Sequence, residues 1–490
     1  MNPYVFVTGS ITSGLSGVLV HYSSVFFLGI VGFIILALGI FRIDKRITAG
    51  ITFATMAISL PLLYFTTSGP AVSMFGGTII FNDFGTFFAI VMVISSMFIV
   101  FPALQKINLK SEVFYALLLF ITVGMIIAAF SYNIITIFIA FESVSIGTYV
   151  LASFGKDKRT LEASIKYFFT GTVGTAFIIF GASFYFMATS TFDLLGITTV
   201  NSSEAFLISL AFLIIGFGFK MALFPLHQWA LDTYDGTENS VSAYLSSGTK
   251  VLAFLIILRI FLVGFSSDQE SVYYFFVIIA ILTMTYGNIA ALSQTNLKRI
   301  LGYSSIAQAG YLILVVVIVA YSTTNKLGGS VIDFAIAAGM FYSLVYIFMK
   351  GGAFITMNVI SKEKIDLSDI SGLAKRSPAT AVSFAIILLA LAGIPLTGGF
   401  MAKYYLFIAL ISGQLWWLAV IAILNSAISV FYYLRVIQQM FWKDPLKENT
   451  FNLTKWTKSP VIVSAIIVVA LGLAYAMFPV LLSAAGGLFG

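Results

Sequence analysis

Residues 211–229, AFLIIGFGFKMALFPLHQW, decide the fold. They read as a membrane helix with Lys220 near its middle, Pro225 five residues on and His227 just beyond. A lysine at bilayer depth costs about 2.5–3.5 kcal/mol on insertion scales. Proline removes a backbone donor and clashes with the preceding turn, so the helix is expected to break or kink at Pro225. A broken helix that carries a buried charge is seldom just an anchor. It usually lines a wet cavity or an ion path. The rest of the chain is expected to supply partners for this lysine.

Composition sets the class. Of 490 residues, 60% are hydrophobic and 9% charged, with a mean hydropathy of +1.04. This is the profile of an all-α polytopic membrane protein in contact with the lipid bilayer. Spans of the required length, about 20 residues, number fourteen: 22–41, 48–66, 84–103, 113–131, 133–153, 162–188, 206–231, 240–264, 272–295, 299–321, 331–360, 380–409, 415–441 and 459–482. The intervals are short, so no soluble domain is expected between them. The N-terminal stretch has no basic region and no clear cleavage site, and is read as retained.

The absence of cysteine excludes disulfides, cysteine-ligated zinc and ordinary iron–sulfur clusters in this chain. Two histidines, His21 and His227, speak against a bis-histidine haem. Any electrons therefore run in another subunit. No P-loop, metal-ligand spacing or nucleophile–base arrangement is present, so hydrolysis is not expected. The net charge of +7 needs no nucleic acid, because its distribution follows the positive-inside rule. Nineteen of the 26 basic residues fall in alternate loops: Arg42, Lys45 and Arg46; Lys106 and Lys110; Lys156, Lys158 and Arg159; Lys298 and Arg299; Lys362, Lys364, Lys375 and Arg376; Arg435, Lys443, Lys447, Lys455 and Lys458. The intervening loops are read as holding only Lys326, with one acidic segment, Asp232, Asp235 and Glu238. The basic loops are expected to be cytoplasmic and both termini to lie on the other side of the plasma membrane.

Six basic residues remain. Lys166 and Arg259 lie near span ends and are expected to snorkel. Lys220, Lys250, Lys350 and Lys403 sit deeper, and Glu142 is the carboxylate near the middle of a span. A lone buried lysine fits a structural role on backbone carbonyls. Four together would cost about 10–14 kcal/mol at the insertion price above, comparable to the whole stability of a domain. Such a set points to proton or cation translocation. Glu142 is expected to pair with Lys220, and loosening that pair would release the lysine's proton. His227 fits either an interfacial residue or a relay, since histidine titrates near neutrality. Gly351 and Gly352 beside Lys350 are expected to allow close helix approach.

A second broken helix is expected at 389–406, where Pro395, Gly398 and Gly399 precede Lys403. The seventh and twelfth spans cross in opposite directions, as two inverted five-helix repeats would require. The expected organisation is 1–110, three N-terminal helices; 111–265, first repeat; 266–442, second repeat; and 443–490, a C-terminal helix.

The segments 138–154, FIAFESVSIGTYVLASF; 156–168, KDKRTLEASIKYF; 218–254, from GFKMALFPLHQW to GTKVLAF; 287–312, GNIAALSQTNLKRILGYSSIAQAGYL; 389–407, LALAGIPLTGGFMAKYYLF; and 428–436, ISVFYYLRV, occur in one order. In that order the chain resembles the antiporter-like proton-pumping subunits of respiratory complex I, above all the N-type, which also occurs in related quinone and methanophenazine reductases. The resemblance covers the third to fourteenth spans. It implies a Glu142–Lys220 pair, a connecting Lys250 and a terminal Lys403 toward the outer half-channel. His227, Lys350 and Gln308 join as secondary members. It implies no cofactor in this chain, with quinone, flavin and iron–sulfur centres in partner subunits. Those partners would be the antiporter-like M- and L-type and small K-, J- and A-type subunits. Lys403 stands where the M-type carries glutamate, and no long lateral helix like that of the L-type follows. Two departures stand out. Gln308 replaces a histidine common in relatives, and Lys350 lies where N-type relatives are usually uncharged. The alternatives are a subunit of a multisubunit cation/proton antiporter or membrane-bound hydrogenase, a stand-alone solute transporter, and a structural scaffold.

Overall fold

A computed structural model describes residues 15–41, 43–105, 111–155, 157–197, 199–360, 364–445 and 451–490. Arg42, Lys106, Lys110, Lys156, Lys362, Lys447 and most of the N-terminal stretch lie outside the described residues. The fold is helical, as expected. Among the described residues, twelve helices are long and apolar enough to cross a bilayer. A short antiparallel hairpin, Val72–Met74 with Ile79–Phe81, was not foreseen. Its strands are three residues long, and the reversal relies on Gly76 and Gly77 at positive φ.

Three expected spans are divided. The seventh runs as Ser203–Met221 and resumes as Gln228–Gly236. It ends four residues before Pro225, with Ala222 in the left-handed conformation (φ 58) as the cap. The twelfth is split into Pro378–Ala392 and Gly398–Ser412, each shorter than a span. The fourteenth, expected over 459–482, is bent by 71° between Lys458–Leu473 and Tyr475–Phe489. Pro479 lies in the first turn of Phe478–Ala485, where its missing N–H is tolerated, so the helix restarts there instead of continuing. Phe478 then stacks on Tyr405 at 4.0 Å.

Burial sorts the helices. The apolar window of Asn239–Gly264 is 100% buried and that of Leu297–Thr324 is 89% buried, against 22% for Ser23–Phe41. The two helices that carry Lys250 and Gln308 therefore form the axis, and the first span is peripheral. Gly351 and Gly352 do permit close packing. A Cβ on Gly352 would lie 2.7 Å from Ser464 Oγ, and one on Gly351 3.1 Å from the Phe98 ring.

The connecting segments fall into two ends. At one end Leu297 N donates to Ile365 O (2.8 Å), Asn452 N to Val359 O (2.7 Å) and Gln105 Nε2 to Thr454 Oγ1 (3.1 Å). Arg159 pairs with Asp235 at 2.7 Å, and Arg299 with Asp232 at 2.9 Å. The acidic segment therefore sits with the basic loops, not between them. It follows the seventh span, an odd one, so it emerges on the same side, and its carboxylates neutralise that side's arginines. At the other end Ile134 N donates to Phe192 O (2.9 Å), and Asn82 Nδ2 to Gly487 O (2.7 Å).

Candidate functional site

Lys220 lies in the last turn of Ser203–Met221, where unbonded carbonyls favour a cation. Its Nζ donates to Tyr167 Oη at 2.7 Å, and to Ser145 Oγ and Thr148 Oγ1 at 3.3 and 3.4 Å. The rings of Tyr167 and Tyr149 stand 5.0 and 5.2 Å away, within cation–π range. Glu142, one helical turn before Ser145, accepts instead from Thr175 Oγ1 at 2.9 Å and is half-buried on the flank of the bundle. The two charges are neighbours without a direct ion pair, which corrects the expected contact. The physical reason is competition, since three hydroxyls reach the ammonium before the carboxylate does.

His227 is buried at the break, against Tyr286 (4.6 Å) and Phe224 (5.6 Å). Neither ring nitrogen has a hydrogen-bond partner among the described residues.

Lys250 and Lys350 meet on the Leu297–Thr324 helix. Lys250 Nζ donates to Ser305 O at 2.9 Å. Lys350 Nζ donates to Leu301 O at 3.0 Å and Ser304 Oγ at 2.5 Å. Ser305 Oγ is in turn 2.9 Å from Tyr346 Oη. From Lys220 an aromatic row leads into the Gln228–Gly236 helix, with Tyr167 stacked on Trp229 at 4.7 Å and Trp229 edge-on to Tyr234 at 6.0 Å.

Lys403 caps the second broken helix. From Gly398–Ser412 it reaches back to the last carbonyls of Pro378–Ala392. Nζ donates to Leu391 O (3.1 Å), Ala392 O (3.0 Å) and Ser426 Oγ (2.9 Å). Those carbonyls have no intrahelical donor, so the ammonium satisfies them. Gly393 (φ 88) makes the turn, and a Cβ there would lie 2.9 Å from Lys403 Cδ. A cavity of about 270 Å³ opens beside it, lined by Lys403, Ser426, Phe400, Tyr404 and Ile423. Gln308 Nε2 donates to the same Leu391 carbonyl at 3.0 Å, and Gln308 Oε1 accepts from Tyr342 Oη.

Arg259 was expected to snorkel and does not. It is fully buried, donates to Ala128 O (3.2 Å) and Ser131 O (3.0 Å), and lies 4.2 Å over Tyr132. Its guanidinium finds the carbonyls at and just past the end of Ser111–Phe130 before it could reach the surface. Lys166 is half-exposed on a pair with Glu162 at 2.7 Å. Residues missed in the sequence were the hydroxyls: Ser145, Thr148, Tyr167, Ser304, Tyr433 and Ser426. The available signal was a polar residue one turn from a charge, as in Glu142, Ser145 and Thr148.

The geometry can now be set beside known proteins. The family described as NADH:quinone oxidoreductase/Mrp antiporter, transmembrane, matches residues 131–429. F(420)H(2) dehydrogenase subunit N of Methanosarcina mazei is 38% identical over 393 residues, 76% of this chain and 77% of that protein. NADH-quinone oxidoreductase subunit N 1 of Solibacter usitatus is 36% identical over 437 residues, 86% of each. A chain of respiratory complex I from Thermus thermophilus has a TM-score of 0.80 at 27% identity, covering 94% of this chain and 99% of that one. A chain of the Mrp complex of a Dietzia species shares the fold, with a TM-score of 0.81 at 19% identity and 97% coverage of each. A helical bundle with two broken spans and buried lysines, matched over most of its length, belongs to the NADH:quinone oxidoreductase/Mrp antiporter transmembrane family.

Proposed function

We propose that this chain is a proton-translocating membrane-arm subunit of a complex I-like quinone oxidoreductase. The observation that carries the reading is the burial of Lys220, Lys250, Lys350 and Lys403, each at most 3% exposed, within a bundle whose relatives are named as subunit N of such enzymes. Each ammonium rests on hydroxyls or carbonyls instead of a fixed counter-ion, an arrangement in which a proton can be given up without breaking a salt bridge. Glu142 and Lys220 act as the input, Lys250 as the connection and Lys403 as the outlet beside its cavity. Lys350 and Gln308 form a branch, and His227 is a side member at the break.

In this reading no redox centre lies in the chain. Quinone, flavin and iron–sulfur centres sit in partner subunits, together with the M- and L-type and the K-, J- and A-type membrane subunits. The end that carries the basic loops is cytoplasmic by the positive-inside rule, and both termini lie opposite. The divisions 111–265 and 266–442 are the two inverted repeats, each with one broken helix, flanked by 1–110 and 443–490, and the fourteen-helix count treats each divided helix as one span.

The test is substrate-driven proton pumping in membrane vesicles, wild type against Lys220→Ala, with assembly checked on a native gel. Collapse of turnover and pumping together in an assembled complex supports the reading. Normal pumping refutes it. Pumping that requires an imposed sodium gradient, and not quinone reduction, would move the chain to the antiporter class.

A further inference from the structure

Leu301, Ser304, Ser305 and Gln308 follow one stripe of the Leu297–Thr324 helix, at spacings of three and four. Lys350 takes the start of the stripe, through Leu301 O and Ser304 Oγ. The Ser304 hydroxyl is hydrogen-bonded to Tyr433 Oη. Gln308 is held at both ends, by Tyr342 Oη on its oxygen and by Leu391 O on its nitrogen. Leu391 O also accepts from Lys403 Nζ. One helix face therefore joins the two lysines: Lys350 bonds Ser304 and, through it, Tyr433 at one end, and Gln308 one turn on shares the Leu391 carbonyl with Lys403 at the other.

The links differ in chemistry. A serine or tyrosine hydroxyl both donates and accepts, so a proton can pass through it. An amide accepts at one atom and donates at another, and keeps its N–H protons at neutral pH. A backbone carbonyl only accepts. Because Leu391 O is acceptor only, the amide nitrogen must face it, which fixes the orientation of Gln308. The last two links thus convey position and charge but no proton.

We propose that Gln308 is a positioning residue that couples Lys350 to Lys403 while barring proton transfer between them, so that Lys350 senses the charge on Lys403. This rests on the proton-pumping reading above. Removing the amide should loosen Lys403 from its register. Replacing it with a titratable ring should open the barred step.

The experiment compares wild type, Gln308→Leu, Gln308→His, Tyr433→Phe and Lys220→Ala in membrane vesicles. It measures turnover, protons pumped per quinone reduced, and the pH profile of both. For Gln308→Leu the expected result is normal assembly with pumping reduced about fivefold, the loss of one buried hydrogen bond expressed as a rate. For Gln308→His, turnover should gain a transition near pH 6.5, the ordinary histidine range, that wild type lacks. A merely structural role would not move that profile. If Gln308→Leu fails to assemble, Tyr433→Phe, which removes one hydroxyl and keeps the ring, should show the same loss of pumping. A wild-type pumping rate in Gln308→Leu or, failing assembly, in Tyr433→Phe overturns the proposal, as does a wild-type pH profile in Gln308→His. If Lys220→Ala still fails to pump in that case, the broader reading survives. If Lys220→Ala pumps normally, the broader reading falls as well.

Discussion

At the scale of single residues, each buried ammonium is matched to oxygens supplied by another helix. Lys220 uses Tyr167, Lys250 the carbonyl of Ser305, and Lys403 the end of the preceding half-helix. Tyr167→Phe keeps the ring stack on Trp229 and removes the closest acceptor of Lys220. Quinone-reductase turnover should fall at least tenfold with assembly intact, the effect of about 1.5 kcal/mol at one hydrogen bond to a charged group. Arg259→Leu should strip the Ser131 carbonyl of this donor and leave the Ala128 carbonyl only the Ser131 amide. A lower thermal unfolding temperature of the purified complex, equivalent to about 1–3 kcal/mol, is the expected outcome. The lysines were legible in the sequence because a charge stands out in an apolar span. The hydroxyls were not, since serine and tyrosine are common in such spans and only folding brings residue 167 to residue 220.

At the scale of elements, the two broken helices depend on small residues at the break. A Cβ at Gly399 would lie 1.9 Å from the Ala390 carbonyl oxygen. Backbone cannot yield as a flexible side chain can, so Gly399→Ala should lower the yield of assembled complex severalfold on a native gel. Gly29→Ala, where nothing lies within 4 Å, should assemble as wild type. Proline and glycine marked both breaks in the sequence. The exact end of the first break, at Ala222, was not legible, because alanine gives no signal of a left-handed cap. Nor was the bend near Ala474. Its second fragment settles on Tyr405 and Phe334 through Phe478, contacts made far away in the chain.

At the scale of the whole molecule, one end of the bundle is tied by a charged cluster. Asp235 takes Arg159 at 2.7 Å, Arg299 at 3.7 Å and Asn296 at 3.0 Å, while Lys298 Nζ donates to the Asp235 and Thr237 carbonyls at 3.3 and 2.8 Å. These contacts join residues placed in the first and second halves of the chain. Asp235→Ala should destabilise the complex by about 1 kcal/mol, read as a lower unfolding temperature that shrinks with added salt. Lys375→Ala, whose pair with Asp444 is exposed on both sides, should change nothing measurable. The alternation of basic loops was legible, but the acidic segment was assigned to the wrong side, since charge sign alone does not count helices.

Sequence alone established the helical membrane class and the depth of Lys220, Lys250, Lys350 and Lys403. Hydrophobic length and the cost of charge in lipid act locally, and both are written residue by residue. What each charge touches is set by the packed bundle: Lys220 rests on Tyr167 and not on Glu142, Arg259 turns inward, and Gln308 and Lys403 share one carbonyl. Hydrogen bonds act over about 3 Å, and the helices that supply their two ends are set by packing across the whole bundle.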